Sequence, residues 1–309
     1  MTTDESAISH GVATDVGRVR QHNEDSARVA GTIFVVADGM GGHAAGEVAS
    51  GIATDALMEL AERPVLRARD LVEQLAEANR RILESAARHP EQTGMGTTVA
   101  GLALVSAGAS QHWVVFNIGD SRVYRLIQGQ LSQVTVDHSE VQELVDRGII
   151  TAEQAQRHPG RNVITRSLGR DPMGHVDTWV FPPYPGESFV ICTDGLTNEL
   201  EPSEIEAVLL DVHEAQEAAD ELVRRAVTAG GRDNVTAVVV SLQGQESDAD
   251  VDEDTSPRES IGRSRSEAPA APHPADLDVP ADDEADGTGD VTGGRSAGEG
   301  PAGESRSLV

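Results

Sequence analysis

Two short apolar runs constrain this chain more than any other feature: "TIFVVAD" at 32–38 and "SFVICTD" at 188–194. Each is too short for a helix, is bounded by turn residues, and reads as a buried strand closing on an aspartate. Other segments cluster or alternate as strands do, namely "GTTVAGLALVSA", "HWVVFNIGD", "RVYRLIQ" and "LSQVTV", with "QGQ" at 128–130 as a hairpin loop. Helical spacing appears over 43–62 (Val48, Ile52, Leu57, Leu60) and 67–88 (Leu71, Leu75, Ile82), and again over 139–147, 202–211 and 214–229. Helices segregated from runs of strands predict an α+β fold with largely antiparallel sheets. No repeat at solenoid periods is visible.

The domain is expected to end at Gln243, after "TAVVVSL". Residues 244–309 hold 17 acidic and 5 basic residues, with few large apolar side chains and many Pro, Gly, Ser and Ala. Such a segment cannot bury enough surface to offset its ordering entropy, so a disordered acidic tail is predicted.

Aspartate recurs at strand ends. Asp38 closes "FVVAD", Asp120 follows "FNIG", Asp194 closes "FVICTD", and Asp233 in "GGRDNVTAVVV" precedes the last apolar run. Four carboxylates at the rim of an apolar core need a cation to neutralise them. Oxygen-only donors with glycines beside them suit Mg²⁺ or Mn²⁺, and Ca²⁺ less well. One cysteine and scattered histidines disfavour zinc. Glycine after Asp38 and Asp194 is expected to let the chain turn sharply and bring a main-chain oxygen to the ion.

Several chemistries are excluded. "GMGGHA" formally matches a dinucleotide fingerprint, but Asp38 would face the pyrophosphate and Glu59 falls within a helical pattern instead of at a strand end. All 24 basic residues are arginine, so Schiff-base and phosphate-loop lysine mechanisms are absent. Cys192 lies in an apolar run without the Cys-x5-Arg loop of a cysteine phosphatase, and no D-x-D pattern surrounds Asp38 or Asp194. A net charge of −28 repels nucleic acid and anionic membranes. The single cysteine, the lack of a signal-peptide core and the lack of an 18-residue apolar stretch lead us to expect a soluble cytoplasmic protein.

The segments "GRVRQHNEDS", "VVADGMGGHAAGE", "GMGTTVAGL", "NIGDSRVYRL", "VDHSEVQELVDRGIITAEQAQRHPGRNVITRSLG", "VICTDGLTNEL" and "RDNVTAVVV", in that order over residues 9–242, resemble the metal-dependent protein phosphatases of the PPM, or PP2C, type in their bacterial form. The resemblance implies a four-layer α-β-β-α sandwich of two antiparallel sheets, over a domain of residues 9–243. It implies that Asp38 bridges two Mn²⁺ or Mg²⁺ ions, that the Gly39 carbonyl binds one, and that Asp194 and Asp233 bind the other. Glu24 would act through metal-bound water, and Asp120 would join Asp194 at a third site. Arg20, four residues before Glu24, would hold the substrate phosphate, and residues 137–170 would form a flap beside the site. Met40 stands where eukaryotic members carry the histidine proposed as general acid. His43 is a substitute by position only, which leaves the proton donor unassigned.

The implied activity is hydrolysis of phosphoserine and phosphothreonine in phosphorylated proteins by a monomeric enzyme opposing bacterial serine/threonine kinases or serving partner-switching signalling. The alternative is a catalytically silent relative acting as a binding module.

Overall fold

The computed structural model describes residues 8–41, 45–108 and 110–243. His43 and the acidic tail therefore lie outside the described residues. Eleven strands and seven helices are present among those described. One sheet joins β1 (Ile8–Asp15), β11 (Val235–Leu242), β10 (Ser188–Cys192), β7 (Arg122–Ile127) and β8 (Gln130–Gln133) in that order. The other joins β2 (Asp25–Ala30), β3 (Ile33–Met40), β5 (Val99–Ala107), β6 (Ser110–Ile118) and β9 (Asp177–Phe181), with the short β4 (Gly96–Thr97) on β3. The pairings within both sheets are antiparallel.

The side chains of these strands sort into three cores. Along β3, Phe34 and Val36 face the second sheet, where they meet Phe189, Ile191, Val238 and Val240. Their neighbours Ile33, Val35 and Ala37 face α1 (Ala45–Met58) and α2 (Ala68–Arg88). Val190, Cys192, Val235, Ala237 and Val239 face α6 (Pro202–Asp211) and α7 (Ala215–Ala229) in the same way. Because side chains alternate sides along a strand, a strand covered on both faces must be apolar throughout. That is why "FVVA" and "FVIC" are continuous runs, and why the layers stack as helix, sheet, sheet, helix.

The expected helix over 43–62 is α1 followed by a 3₁₀ turn at Glu59–Glu62. Those over 67–88, 139–147, 202–211 and 214–229 appear as α2, α3 (Glu140–Asp146), α6 and α7. "QGQ" closes β7 onto β8 through Gln128 and Gly129, at φ 52° and 77°, the paired left-handed conformations of a tight hairpin. The strand read across "LSQVTV" is shorter than expected, since β8 ends at Gln133. No described helix is long and apolar enough to cross a membrane.

Candidate metal centre and cleft

The sheets bring their aspartates to one edge. β3 carries Asp38 to the end of its sheet, and antiparallel pairing with β2 sets Asp25 directly opposite it. On the other sheet, β10 lies against β11 with Cys192 opposite Ala237. Asp194, the first residue of the short helix α5 (Asp194–Thr197), is thereby placed beside the Asp233–Asn234 turn that leads into β11. Asp120 sits between β6 and β7, buried to 7% exposure.

Neither glycine makes the sharp turn expected of it. Neither Gly39 nor Gly195 adopts a positive φ among the described residues. A Cβ on Gly195 would lie 1.9 Å from the Asn234 carbonyl oxygen. One on Gly39 would lie 2.1 Å from the Gly46 carbonyl oxygen and 2.6 Å from that of Glu24. These glycines are thus required by close approach of two backbones, not by a turn.

Backbone hydrogen bonds hold the cluster. The Asp38 N–H donates to Thr98 Oγ1 at 3.0 Å, and the Asp38 carbonyl accepts from Thr97 Oγ1 at 2.8 Å and from the Thr98 N–H at 2.9 Å. Thr98 and Ser121 share a hydroxyl bond of 2.7 Å, which ties the Asp38 strand to the Asp120 loop. The Asn234 side chain anchors the loop that carries Arg20: its Oδ1 accepts from the Glu24 N–H, and its Nδ2 donates to the carbonyls of Val16 and His22.

The electrostatics are those of crowded acids. Burial pushes the Asp25 carboxyl up to about 7 and the Asp120 carboxyl up to about 8. Burial also lifts Asp38 well above, and Asp194 above, the ordinary carboxylate range, with repulsion among these neighbours adding to the shift. Asp233 accepts from Arg20, and Asp194 accepts from Asn198 Nδ2 at 3.0 Å. The Glu24 carboxylate rests against the bare Cα of Gly46, near enough to Arg20 to favour its charged form.

Among the described residues no three acidic, histidine or cysteine side chains already close on one point as the ligands of an ion would. The donor set still fits a hard divalent cation. It is all oxygen, it is under-neutralised, and Asp120 Oδ1 is buried without a hydrogen-bond partner. Cys192 is fully buried and its thiol is pushed up to about 12, which leaves it no role as a nucleophile.

The carboxylates open onto a cleft of about 780 Å³ whose walls include Arg20, Asp120, Asp194 and Asp233. Its far side is the flap, where α3 and α4 (Ala152–Gln156) lie. The flap's stem is pinned by Arg122 on Asp137 at 2.6 Å and by His138, whose Nδ1 accepts the Gly119 N–H at 3.0 Å while Nε2 faces Asp177 Oδ2 at 3.2 Å. Burial, the largest influence, lowers the His138 pKa and favours its neutral form.

Asp25, Thr98, Thr193 and Asn234 were not singled out by sequence reasoning. The Thr193 hydroxyl donates to Asp25 Oδ2 at 2.8 Å and accepts the Thr236 N–H at 3.1 Å. The available signal was adjacency, since each of these four is next to a residue named for other reasons or, for Thr98, follows the glycine-rich "GMGT".

Comparison with known proteins gives a consistent result. Residues 17–230 match the family described as Protein phosphatase 2C. Serine/threonine phosphatase stp of Listeria welshimeri serovar 6b is 38% identical over 238 residues, covering 74% of this chain and 93% of that protein. The crystal structure of the Mycobacterium tuberculosis serine/threonine phosphatase PstP/Ppp aligns with a TM-score of 0.71 at 36% identity, covering 76% of this chain and 99% of the other. A solved catalytic domain of PstP in complex with two manganese ions aligns with a TM-score of 0.69 at 34% identity, covering 76% of this chain and 98% of the other.

Proposed function

The chain belongs to the protein phosphatase 2C family and is an enzyme of the protein serine/threonine phosphatase class, and from that premise we propose that it hydrolyses phosphoserine and phosphothreonine in proteins at the aspartate-lined end of the cleft. The observation that carries this reading is the gathering of Asp38, Asp120, Asp194 and Asp233 at one sheet edge, with Arg20 at their rim. We assign Asp38, the Gly39 carbonyl, Asp194 and Asp233 to two Mn²⁺ or Mg²⁺ ions, and Asp120 with Asp194 to a third. Such ions, when bound, lower the pKa of water and neutralise charge on phosphoryl oxygens.

The protein's own groups do the rest. Arg20 presents a planar pair of donors to the phosphate. Its loop is fixed through Asn234, which anchors the backbone from which the guanidinium reaches the cleft. Glu24 stands beside the cluster as an acceptor that orients water. The flap covers one wall of the cleft and bounds the segment of phosphoprotein that can enter. No covalent enzyme intermediate is needed. The physiological setting we infer is a cytoplasmic signalling pathway in which a monomeric phosphatase opposes serine/threonine kinases.

Hydrolysis of p-nitrophenyl phosphate and of a phosphothreonine peptide with Mn²⁺, then with EDTA, tests this reading in the wild type and in Asp38→Ala and Asp233→Ala. Turnover that needs Mn²⁺ and fails in both variants is expected. Turnover surviving chelation, or surviving both substitutions, defeats the metal assignment, and a wild type inactive on both substrates leaves the silent binding module.

A further inference from the structure

The arginines lining the cleft divide into two kinds. Arg20, Arg122 and Arg232 are neutralised within the protein, on Asp233, Asp137 and Glu199 at 2.7, 2.6 and 2.8 Å. Arg157 and Arg161 line the same cleft, are exposed, and have neither an ion pair nor a side-chain hydrogen bond among the described residues. Carboxylates are not scarce in a chain with 52 acidic and 24 basic residues. Glu140 and Glu153 lie on the flap itself, and neither bonds to these arginines.

Both arginines arise from one bend of the flap. Arg157 closes the C-terminal end of α4, and Arg161 follows in a turn fastened by its own N–H on the His158 carbonyl at 3.1 Å. Their position answers a problem set by the net charge of −28, which repels an anionic substrate at long range. A phosphoprotein can enter only where that field is locally reversed, and the arginines already paired with carboxylates contribute little to such a reversal.

We propose that Arg157 and Arg161 form an accessory anion subsite on the flap, which takes a second anionic side chain of the substrate, either a carboxylate or a further phosphate, flanking the phosphoester seated at Arg20. Guanidinium forks suit both groups, since each offers paired oxygens to parallel N–H donors. This inference deepens the phosphatase reading and rests on it.

The test measures kcat/KM on three phosphothreonine peptides of equal length: one with neutral flanks, one with flanking glutamates, and one with a second phosphothreonine. The enzymes are the wild type and the double variant Arg157→Gln/Arg161→Gln, with p-nitrophenyl phosphate turnover used to normalise each for active enzyme. The wild type is expected to prefer an anionic peptide over the neutral one by about five- to tenfold, as two partly screened ion pairs allow. The preference should shrink as salt is raised and disappear in the double variant. Whichever anionic peptide is preferred identifies carboxylate or phosphate as the group recognised. A wild type without the preference, or a double variant that retains it, overturns the subsite. Loss of turnover of all three peptides and of p-nitrophenyl phosphate by the wild type would instead overturn the phosphatase reading beneath it.

Discussion

Arg20 and Asp233, 213 positions apart in sequence, are joined by a hydrogen bond of 2.7 Å from the guanidinium to Oδ2. The residue assigned to substrate phosphate is therefore held by a residue assigned to metal. A cation bound at Asp233 would compete with that guanidinium and free its donors to face the cleft. Arg20→Gln should accordingly weaken phosphopeptide binding without weakening metal binding. KM for a phosphopeptide is expected to rise about tenfold, the scale of one lost charge-assisted hydrogen bond. Mn²⁺ affinity, measured by titration calorimetry, should be unchanged or tighter. Weakened Mn²⁺ binding would mean that Arg20 supports the metal centre instead of competing with it.

The crowded carboxylates make a prediction about the protein in chelator. Their folded-state pKa values are raised, with Asp25 near 7 and Asp120 near 8, while the unfolded chain ionises them near the ordinary value. Across the window from about 4 to about 8 the folded state therefore binds more protons than the unfolded one, and stability falls as pH rises. Divalent cations should flatten this slope by replacing the protons. Asp38→Asn should raise the melting temperature of the chelated protein at pH 7.5, since an amide removes a buried charge that Asp25 and Asp194 repel, while phosphatase activity is lost. A chelated protein whose melting temperature rises with pH across that window would contradict this account.

Gly195→Ala tests the close approach that unites the two halves of the aspartate cluster. The new methyl would lie 1.9 Å from the Asn234 carbonyl oxygen, a backbone atom that can yield only if the Asp194 and Asp233 segments part. We expect a folded variant that needs much more Mn²⁺ for half-maximal activity and has kcat/KM lowered about a hundredfold, in line with the sensitivity of catalysis to displacements near 1 Å. Wild-type Mn²⁺ dependence in this variant would show that the approach is not critical.

What the sequence disclosed follows from how strongly each element is constrained locally. Asp38 and Asp194 were legible because burial on both sheet faces makes "FVVA" and "FVIC" uniformly apolar, so the charge that ends each run stands out. Asp25 was not, because it opens a strand, "DSARVA", with no fully buried residue and no such contrast. Strand β9 escaped for a similar reason: it lies at a sheet edge, and its residues alternate between half-buried and exposed. Helices α4 and α5, of five and four residues, are too short to display a helical period. The roles of Gly39 and Gly195 depend on how separate elements pack, Gly39 against Gly46 and Glu24 and Gly195 against the distant Asn234, so local pattern suggested turns where the fold needs thin backbone. The four layers came from family resemblance, since the pattern of a run does not say what covers each of its faces.

Far from the cleft, Glu187 lies at the opposite end of β10 from Asp194, roughly 20 Å away at strand spacing. It is fully buried and accepts from Trp113 Nε1 at 2.7 Å, Arg125 Nε at 2.7 Å and the Tyr184 N–H at 2.8 Å. Trp113 belongs to one sheet and Arg125 to the other, so a single carboxylate clasps the two. Glu187→Ala would strand the Arg125 guanidinium, which is only 18% exposed, and leave the indole N–H unpaired. The expected loss is roughly 3–5 kcal/mol in urea denaturation, with kcat/KM of the folded enzyme unaltered. Because most of that cost is the uncompensated charge, Arg125→Met/Glu187→Leu should recover much of it. A double variant as unstable as Glu187→Ala would show that the clasp itself, and not the stranded charge, holds the sheets together at this end.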